Sequence, residues 1–393
     1  MKRKFSLRLQ VVVFTFIRMS MNISIRMIYP FISVFARGLG VDLVGMSRAI
    51  SIRSLVGSFS PLLTTIADRR GRKTGMMVAV LLFFAGASTM LFWHSYTAFV
   101  IALCLTTLGL FLYFPSMQAY ISDHVAYERR GRVLAVIEMG WALSFILGMP
   151  LIALVIERFD WAAPFYLLAG LGLISIILLW WMIPSTAPQP ENNSRRALQN
   201  LGVVLTSKPA MAALLMGLLF SAGNEVISVV FGYWLEDSFG LRLGALGAAS
   251  AVIGFAELSG ETLTAGLVDR LGKKRSVWIG LMLNGIFSMV LPWMGQTLPG
   301  ALVGLFLFFL TFEFTIVSSL PMMTEILPSV RATLLGINAA AFSVGRGLGA
   351  WLSPVLFVSG IWANGIGALV LNLIAMVALS QVRISESGQA RVD

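Results

Sequence analysis

The sequence predicts an all-α membrane protein of twelve transmembrane helices in two six-helix pseudo-repeats, and three observations predict it. First, the 393-residue chain is 58% hydrophobic and only 12% charged, with mean hydropathy +0.86; a soluble protein carries about a quarter charged residues. Second, apolar runs of the roughly 20 residues that cross a bilayer as a helix recur along the chain. They are rich in aliphatics and lack the ten-residue alternation of barrel strands. Third, rare residues recur at one offset of 201, pairing Asp68 with Asp269, Arg69 with Arg270, Gly71 with Gly272, Arg72 with Lys273, Gly148 with Gly349 and Trp161 with Trp362. Matches of such residues at a single offset mark a duplicated half.

Each span follows from its own run. Span 1 (9–36) follows the basic start Lys2, Arg3, Lys4 and carries Arg18, Asn22 and Arg26. Those arginines, and the lack of a small-residue cleavage site, argue against a cleaved signal peptide. Span 2 (43–66) carries Arg48 and Arg53 and runs into the charge cluster Ala67–Lys73. Spans 3 (76–93) and 4 (96–122) follow, the latter holding the single cysteine, Cys104, and ending before Asp123. Span 5 (133–156) contains Glu138, Gly140, Trp141, Gly148 and Pro150, and span 6 (163–184) ends on Trp180 and Trp181. Residues 185–208 form a polar linker, Pro188-Gln189-Pro190-Glu191-Asn192-Asn193 at its centre, between domains 1–184 and 209–393. Span 7 (209–234) carries Asn224, Glu225 and Tyr233; span 8 (243–264) carries Glu257 and Glu261 and leads to the second cluster, Val268–Lys274. Span 9 (277–294) ends near Trp293, span 10 (299–322) holds Glu313, span 11 (332–357) holds Arg346 among Gly345, Gly347 and Gly349, and span 12 (361–381) closes the set. The tryptophans near span ends suit an interfacial belt.

Charge sets an orientation. With a cytoplasmic N-terminus, 21 Lys/Arg fall on inner segments against three outside, Arg37, Arg158 and Arg242; the other five of 29 lie within spans. Positive charge gathers on the cytoplasmic side, so both termini are expected there, in the inner or plasma membrane. The net charge of +11 is then a topology signal and not a nucleic-acid footprint. One cysteine and two histidines leave no disulfide or metal site to build, and no cofactor is expected.

The cluster at 64–73 reads Thr64-Thr65-Ile66-Ala67-Asp68-Arg69-Arg70-Gly71-Arg72-Lys73. It resembles the major facilitator superfamily signature G-x-L-A-D-R-x-G-R-K, departing at the first glycine and the leucine; Asp269, Arg270, Gly272 and Lys273 look like its echo. The resemblance implies the major facilitator fold, a transporter and not an enzyme, with a cytoplasmic latch of Asp68, Arg69, Gly71, Arg72, Asp123, Asp269, Arg270 and Lys273. Asp123 stands as the partner of Arg72. Gly140, Gly148 and Pro150 on span 5 are similar to the drug and arabinose-type efflux permeases, which leans toward export. The chain departs from the family's proton–drug antiporters at Leu105, where they carry an arginine, and in span 1, which offers Arg18 and Arg26 and no acid.

Ten ionisable residues fall within spans: Arg18, Arg26, Arg48, Arg53 and Glu138 in the first half, Glu225, Glu257, Glu261, Glu313 and Arg346 in the second. Each would cost roughly 2.5–3.5 kcal/mol facing lipid at mid-bilayer, so they are expected to face water or one another. Arg48 and Glu138 lie near span ends and are set aside. The halves balance at +3 and −3, and the substrate site of such repeats lies near the midplane. Arg18, Asn22, Arg26, Arg53, Asn224, Glu225, Glu313 and Arg346 are therefore candidate substrate residues. Glu257 and Glu261, one helical turn apart, should not both ionise in a low-dielectric setting, which makes them proton-coupling candidates beside Glu225 and Glu313. The expectation is a monomeric secondary transporter exporting a small organic solute by alternating access as a proton-coupled antiporter. Proton-coupled uptake of an anionic or zwitterionic solute, gripped by Arg18, Arg26 and Arg53, is the alternative; a non-transporting sensor or lipid-moving relative is the alternative of another class.

Overall fold

The computed structural model describes residues 5–59, 71–184 and 194–383, with backbone only at 194–198. The described residues are helical throughout, without strands: α1 (Leu7–Arg26), α2 (Ile32–Leu39), α3 (Leu43–Gly57), α4 (Arg72–Phe92), α5 (Tyr96–His124), α6 (Tyr127–Leu143), α7 (Met149–Arg158) and α8 (Ala163–Met182), then α9 (Ser194–Thr206), α10 (Lys208–Ser228), α11 (Phe231–Phe239), α12 (Leu243–Leu271), α13 (Lys273–Met294), α14 (Leu298–Ile326), α15 (Arg331–Phe357) and α16 (Ile361–Ser380). Nine stretches among the described residues are long and apolar enough to cross a membrane. The runs expected as spans 1 and 11 are largely helical, as is span 2 as far as Gly57, but they lie outside those nine, so the number twelve rests on the sequence.

Helix starts are written locally. Side-chain oxygens of Asp42 and Ser95 accept from the N–H groups of Gly45 (2.7 Å) and Ala98 (3.2 Å), satisfying donors that the first turn leaves open. Gly40 and Gly240, at φ 65° and 62°, close α2 and α11 in the left-handed conformation that suits glycine.

Three spans depart from the continuous α-helices expected. Span 1 breaks between α1 and α2 because Pro30 has no N–H to donate and its ring crowds the carbonyl four residues back, that of Arg26, where α1 stops. Span 7 breaks between α10 and α11 without a proline. Span 5 carries a π-helical turn, Ser144–Gly148, between α6 and α7. Pro150 follows it and cannot donate to Ile146, so the ladder slips by one residue.

The described residues form two compact units. One comprises Met1–Pro190 with Ser228–Phe255 and Ser353–Val355; the other comprises Glu191–Ile227, Ala256–Leu352 and Leu356–Asp393. In the first, α6 lies close enough to α1 that a side chain at Gly140 would meet Thr15 O at 3.0 Å and Arg18 Cγ at 3.1 Å. The stretch from Leu243 to Phe255 packs there too: Gly244 N donates to Glu157 (2.7 Å), and a Cβ on Gly254 would stand 2.8 Å from Ala142 O.

In the second unit, α13, α14 and α16 are joined by a buried amide pair. Asn372 Nδ2 donates to Asn284 Oδ1 (3.0 Å), and Asn284 Nδ2 to Phe308 O (2.8 Å), both residues being fully buried. Such bonds between membrane helices contribute roughly 0.6–2 kcal/mol. Asn372→Leu is expected to lower stability by about 1 kcal/mol in a reversible detergent-unfolding titration.

Candidate functional site

The basic stripe of the first half is buried, and its own half engages it. Arg18 forms an ion pair with Glu138 at 2.9 Å, its guanidinium 3.9 Å above the Phe114 ring. Glu138, expected near the end of span 5, stands 11 residues into α6 and is half-buried where it meets Arg18. Arg26 donates to Trp141 O (2.8 Å) and Ser144 Oγ (3.4 Å) and lies between the Trp141 and Phe145 rings, 4.1 and 3.6 Å from their centres. Cation–π contacts out of water are worth about 2 kcal/mol, so the rings stand in for solvent. Arg53 donates to Ile25 O (2.8 Å) and Tyr29 OH (2.6 Å). Arg48 is exposed.

Asn22 sits one turn from Arg18 and one from Arg26. It is fully buried, and neither its Oδ1 nor its Nδ2 has a hydrogen-bond partner among the described residues. A buried amide left unsatisfied costs about 1–3 kcal/mol, so its retention needs a reason.

The second half gathers acids. Glu225, Glu257 and Glu313 are buried at 1%, 3% and 6% exposure, and Glu261 is half-buried. Each is engaged by other groups of the protein. Gly260 brings two of the elements together: a Cβ there would fall 2.7 Å from Leu310 O and 2.8 Å from Glu313 Cβ. The α12 backbone thus lies against α14 at Glu313, with Glu257 three residues before the contact and Glu261 one after. Gly349 does the same for Glu225, whose Cβ a side chain there would meet at 2.8 Å. Arg346, half-buried, precedes Gly349 by three residues, and Asn224 is buried beside Glu225.

At the ends expected to be cytoplasmic, Asp68 and Arg69 lie outside the described residues. Gly71 takes φ 92° and Gly272 φ 85°, both turning the chain into the next helix. Arg72 Nε stands 3.3 Å from Asp123 Oδ2, and Lys273 is ion-paired with Glu325. Each pair joins neighbouring helices of its own half. Asp269 and Arg270 are exposed at the end of α12. The next lysines repeat as well: Lys73 donates to Trp180 O (2.9 Å) and Lys274 to Val382 O (2.7 Å), placing positive charge where the carbonyls ending α8 and α16 are concentrated. Sequence reasoning missed Glu325, although it stands 202 residues after Asp123, close to the repeat offset. It also passed over Ser144, Phe114 and Phe145, which only three-dimensional proximity to arginine marks.

Comparison with known proteins bears on the family and the fold. The family model described as Major Facilitator Superfamily matches residues 14–350 and again 213–391. The uncharacterized MFS-type transporter YceJ of Bacillus subtilis (strain 168) is 27% identical over 75% of each chain. The inner membrane transport protein YdhP of Escherichia coli (strain K12) is 23% identical over 89% of this chain and 90% of its own. Among solved structures, the nucleoside transporter NupG superposes with TM-score 0.78 over 95% of this chain and 98% of its own, at 15% identity. A membrane transporter and not an enzyme, the chain belongs to the major facilitator superfamily.

Proposed function

We propose that this secondary transporter exports a small organic solute in exchange for protons, by alternating access, with both termini in the cytoplasm. The observation that carries the reading is the gathering of carboxylates around Gly260, two of them buried deeply, on helices that also cross the membrane. Carboxylates that share a low-dielectric neighbourhood resist simultaneous ionisation, so the group holds and releases protons as its surroundings alternate. Glu257 and Glu313 are the coupling carboxylates, with Glu261 next on α12 and Glu225 a further candidate against Gly349. Asn22, with Arg18 and Arg26 a turn away, anchors the polar part of the solute in the first half; Asn224 and Arg346 are the candidate substrate residues of the second. The Arg72–Asp123 and Lys273–Glu325 pairs brace the inner ends of each half. Uptake of an anion gripped by Arg18, Arg26 and Arg53 is less well supported, because protein groups already occupy Arg18 and Arg53.

A thermal-shift screen of purified protein against charged metabolites and drugs at two pH values identifies the solute. In proteoliposomes an imposed pH gradient is then expected to drive its accumulation against its own gradient. Transport of a confirmed solute that ignores the pH gradient would refute the coupling. The Asn22 assignment has its own check: Asn22→Leu should raise KM for that solute about tenfold, the loss of roughly 1.4 kcal/mol. Greater thermal stability with an unchanged KM would instead show the amide to be a structural burden.

A further inference from the structure

The two broken spans are broken at equivalent places, and each has a side chain from another helix on the carbonyl at the break. In the first, Tyr29 N–H turns to Arg26 O (3.2 Å), three residues back, and Ile25 O receives Arg53 (2.8 Å). Arg53 reaches across from α3, is 2% exposed, and fastens Tyr29 OH (2.6 Å) with the same guanidinium. In the second, Val226 O, 201 residues after Ile25, receives Asn364 Nδ2 (2.9 Å) from α16, and Asn364 is fully buried.

The two fastenings are equivalent in target but not in source. Position 254, the repeat mate of Arg53, is glycine, and that glycine lies against Ala142 O and Phe145 Cβ where a side chain would not fit. Position 163, the mate of Asn364, is alanine, which has no donor to offer. Each half has therefore lost the other's solution and kept one of its own, while the carbonyl served is the same. A polar side chain fully buried in an apolar helix is costly, and two independent routes to one contact indicate that the contact matters.

The setting gives it a mechanical meaning. The second break is where the chain passes from one compact unit to the other, at Ile227 and Ser228. At the first break Tyr29 O and Pro30 O face Gly232 of α11 so closely that a Cβ there would fall 2.2 and 2.6 Å away. Further along, Arg37 of α2 pairs with Glu236 of α11 at 2.8 Å. The short helices α2 and α11 thus meet each other along their length, each separated from its long partner by a fastened gap.

We propose that Arg53 and Asn364 are positioning residues that hold the breaks of spans 1 and 7 open, so that α2 and α11 move as levers distinct from α1 and α10. With the fastening gone, the break amides lose their fixed geometry and the α2–α11 contact is no longer held in one arrangement. This inference is independent of direction and of proton coupling, and its test needs no substrate.

Hydrogen exchange of the full chain in phosphatidylethanolamine/phosphatidylglycerol nanodiscs reads it directly. In Arg53→Gln, the amides of residues 27–29 and 31 are expected to exchange at least tenfold faster than in the wild type, with residues 10–20 unchanged. Asn364→Ala should do the same at residues 227–230. Spin labels at Leu39→Cys of α2 and Ser238→Cys of α11, in a Cys104→Ser background, should show a second distance population in Arg53→Gln. Arg53→Lys, whose ammonium keeps a donor for Ile25 O, should restore the single population. Exchange at both breaks within twofold of wild type, or a label distance that none of these changes alters, would overturn the proposal. If Arg53→Gln does not assemble, Tyr29→Phe removes the 2.6 Å bond alone; threefold faster exchange at 27–29 and 31 is then expected, and no change would overturn it.

Discussion

Replacing Glu257 with Gln is expected to cut pH-driven accumulation of the solute at least 100-fold while leaving solute exchange within about threefold of wild type. Glutamine keeps the shape and hydrogen bonding of a protonated carboxyl and cannot lose the proton. A carrier locked in that form completes the half-cycles that exchange requires but cannot pick up a proton on one side and release it on the other. A 100-fold loss corresponds to about 2.7 kcal/mol, which is within what a deeply buried carboxylate controls. Glu313→Gln should behave alike, since Glu313 is buried and its backbone is fixed against Gly260. Glu261→Gln should matter less, because Glu261 is only half-buried where Glu257 and Glu313 are buried. The order 257 and 313 before 261 is the structural content of the prediction. The double variant Glu257→Gln/Glu313→Gln should lose little more than either single change, because residues that act as a unit are not additive. A pH dependence that survives in both single variants and in the double would remove the acidic group from the coupling machinery.

How much of this was legible beforehand depends on the kind of residue. The repeat was legible because charges and glycines are rare in such a chain, so Arg72 and Lys273, or Gly71 and Gly272, stand out at one offset. The structure gives those matches a cause: both lysines that follow cap the end of a long helix, and both glycines adopt a positive φ. The breaks were harder. Pro30 was visible, but hydropathy runs on through it, and span 7 breaks with no proline at all. The pairing of Glu138 with Arg18 was not legible, because the apolar run begins after the helix does; Tyr127 to Arg132 are exposed or half-exposed residues in helical geometry. About 11 residues into α6, near 17 Å at 1.5 Å per residue, Glu138 is far enough along the helix to meet Arg18 of α1. Asn364 drew no notice because an uncharged amide in an apolar run leaves no mark on charge balance or on the repeat, and only its bond to Val226 O gives it a role.

Gly345→Val is expected to abolish folded, monodisperse protein, with yield on fluorescence-detected size exclusion falling at least tenfold. A Cβ at Gly345 would lie 2.1 Å from Leu218 O and 2.2 Å from Ser221 Oγ, so α15 and α10 touch there without a side chain between them. Ordinary contact requires about 3.4 Å or more, and the nearest atom belongs to backbone that cannot rotate aside, so the helices must part by roughly 1 Å or more. Parting breaks the Ser221 Oγ bond to Phe342 O (3.0 Å). It also draws α15 away from Ala222 and Glu225, against which Gly349 rests one turn later. Overpacking of a core costs typically 1–3 kcal/mol and more where backbone is the obstacle, against a total stability of about 5–15 kcal/mol. Gly345→Ala, the milder change, should leave folded protein destabilised by about 2 kcal/mol, and Gly349→Ala by a similar amount. Their combination should fall short of the sum, because once the first methyl has separated the helices the second finds room. Strict additivity would mean that the two glycines sit in independent contacts, and a Gly345→Val protein of normal yield and melting temperature would show that α10 and α15 do not pack as closely as the backbone distances require.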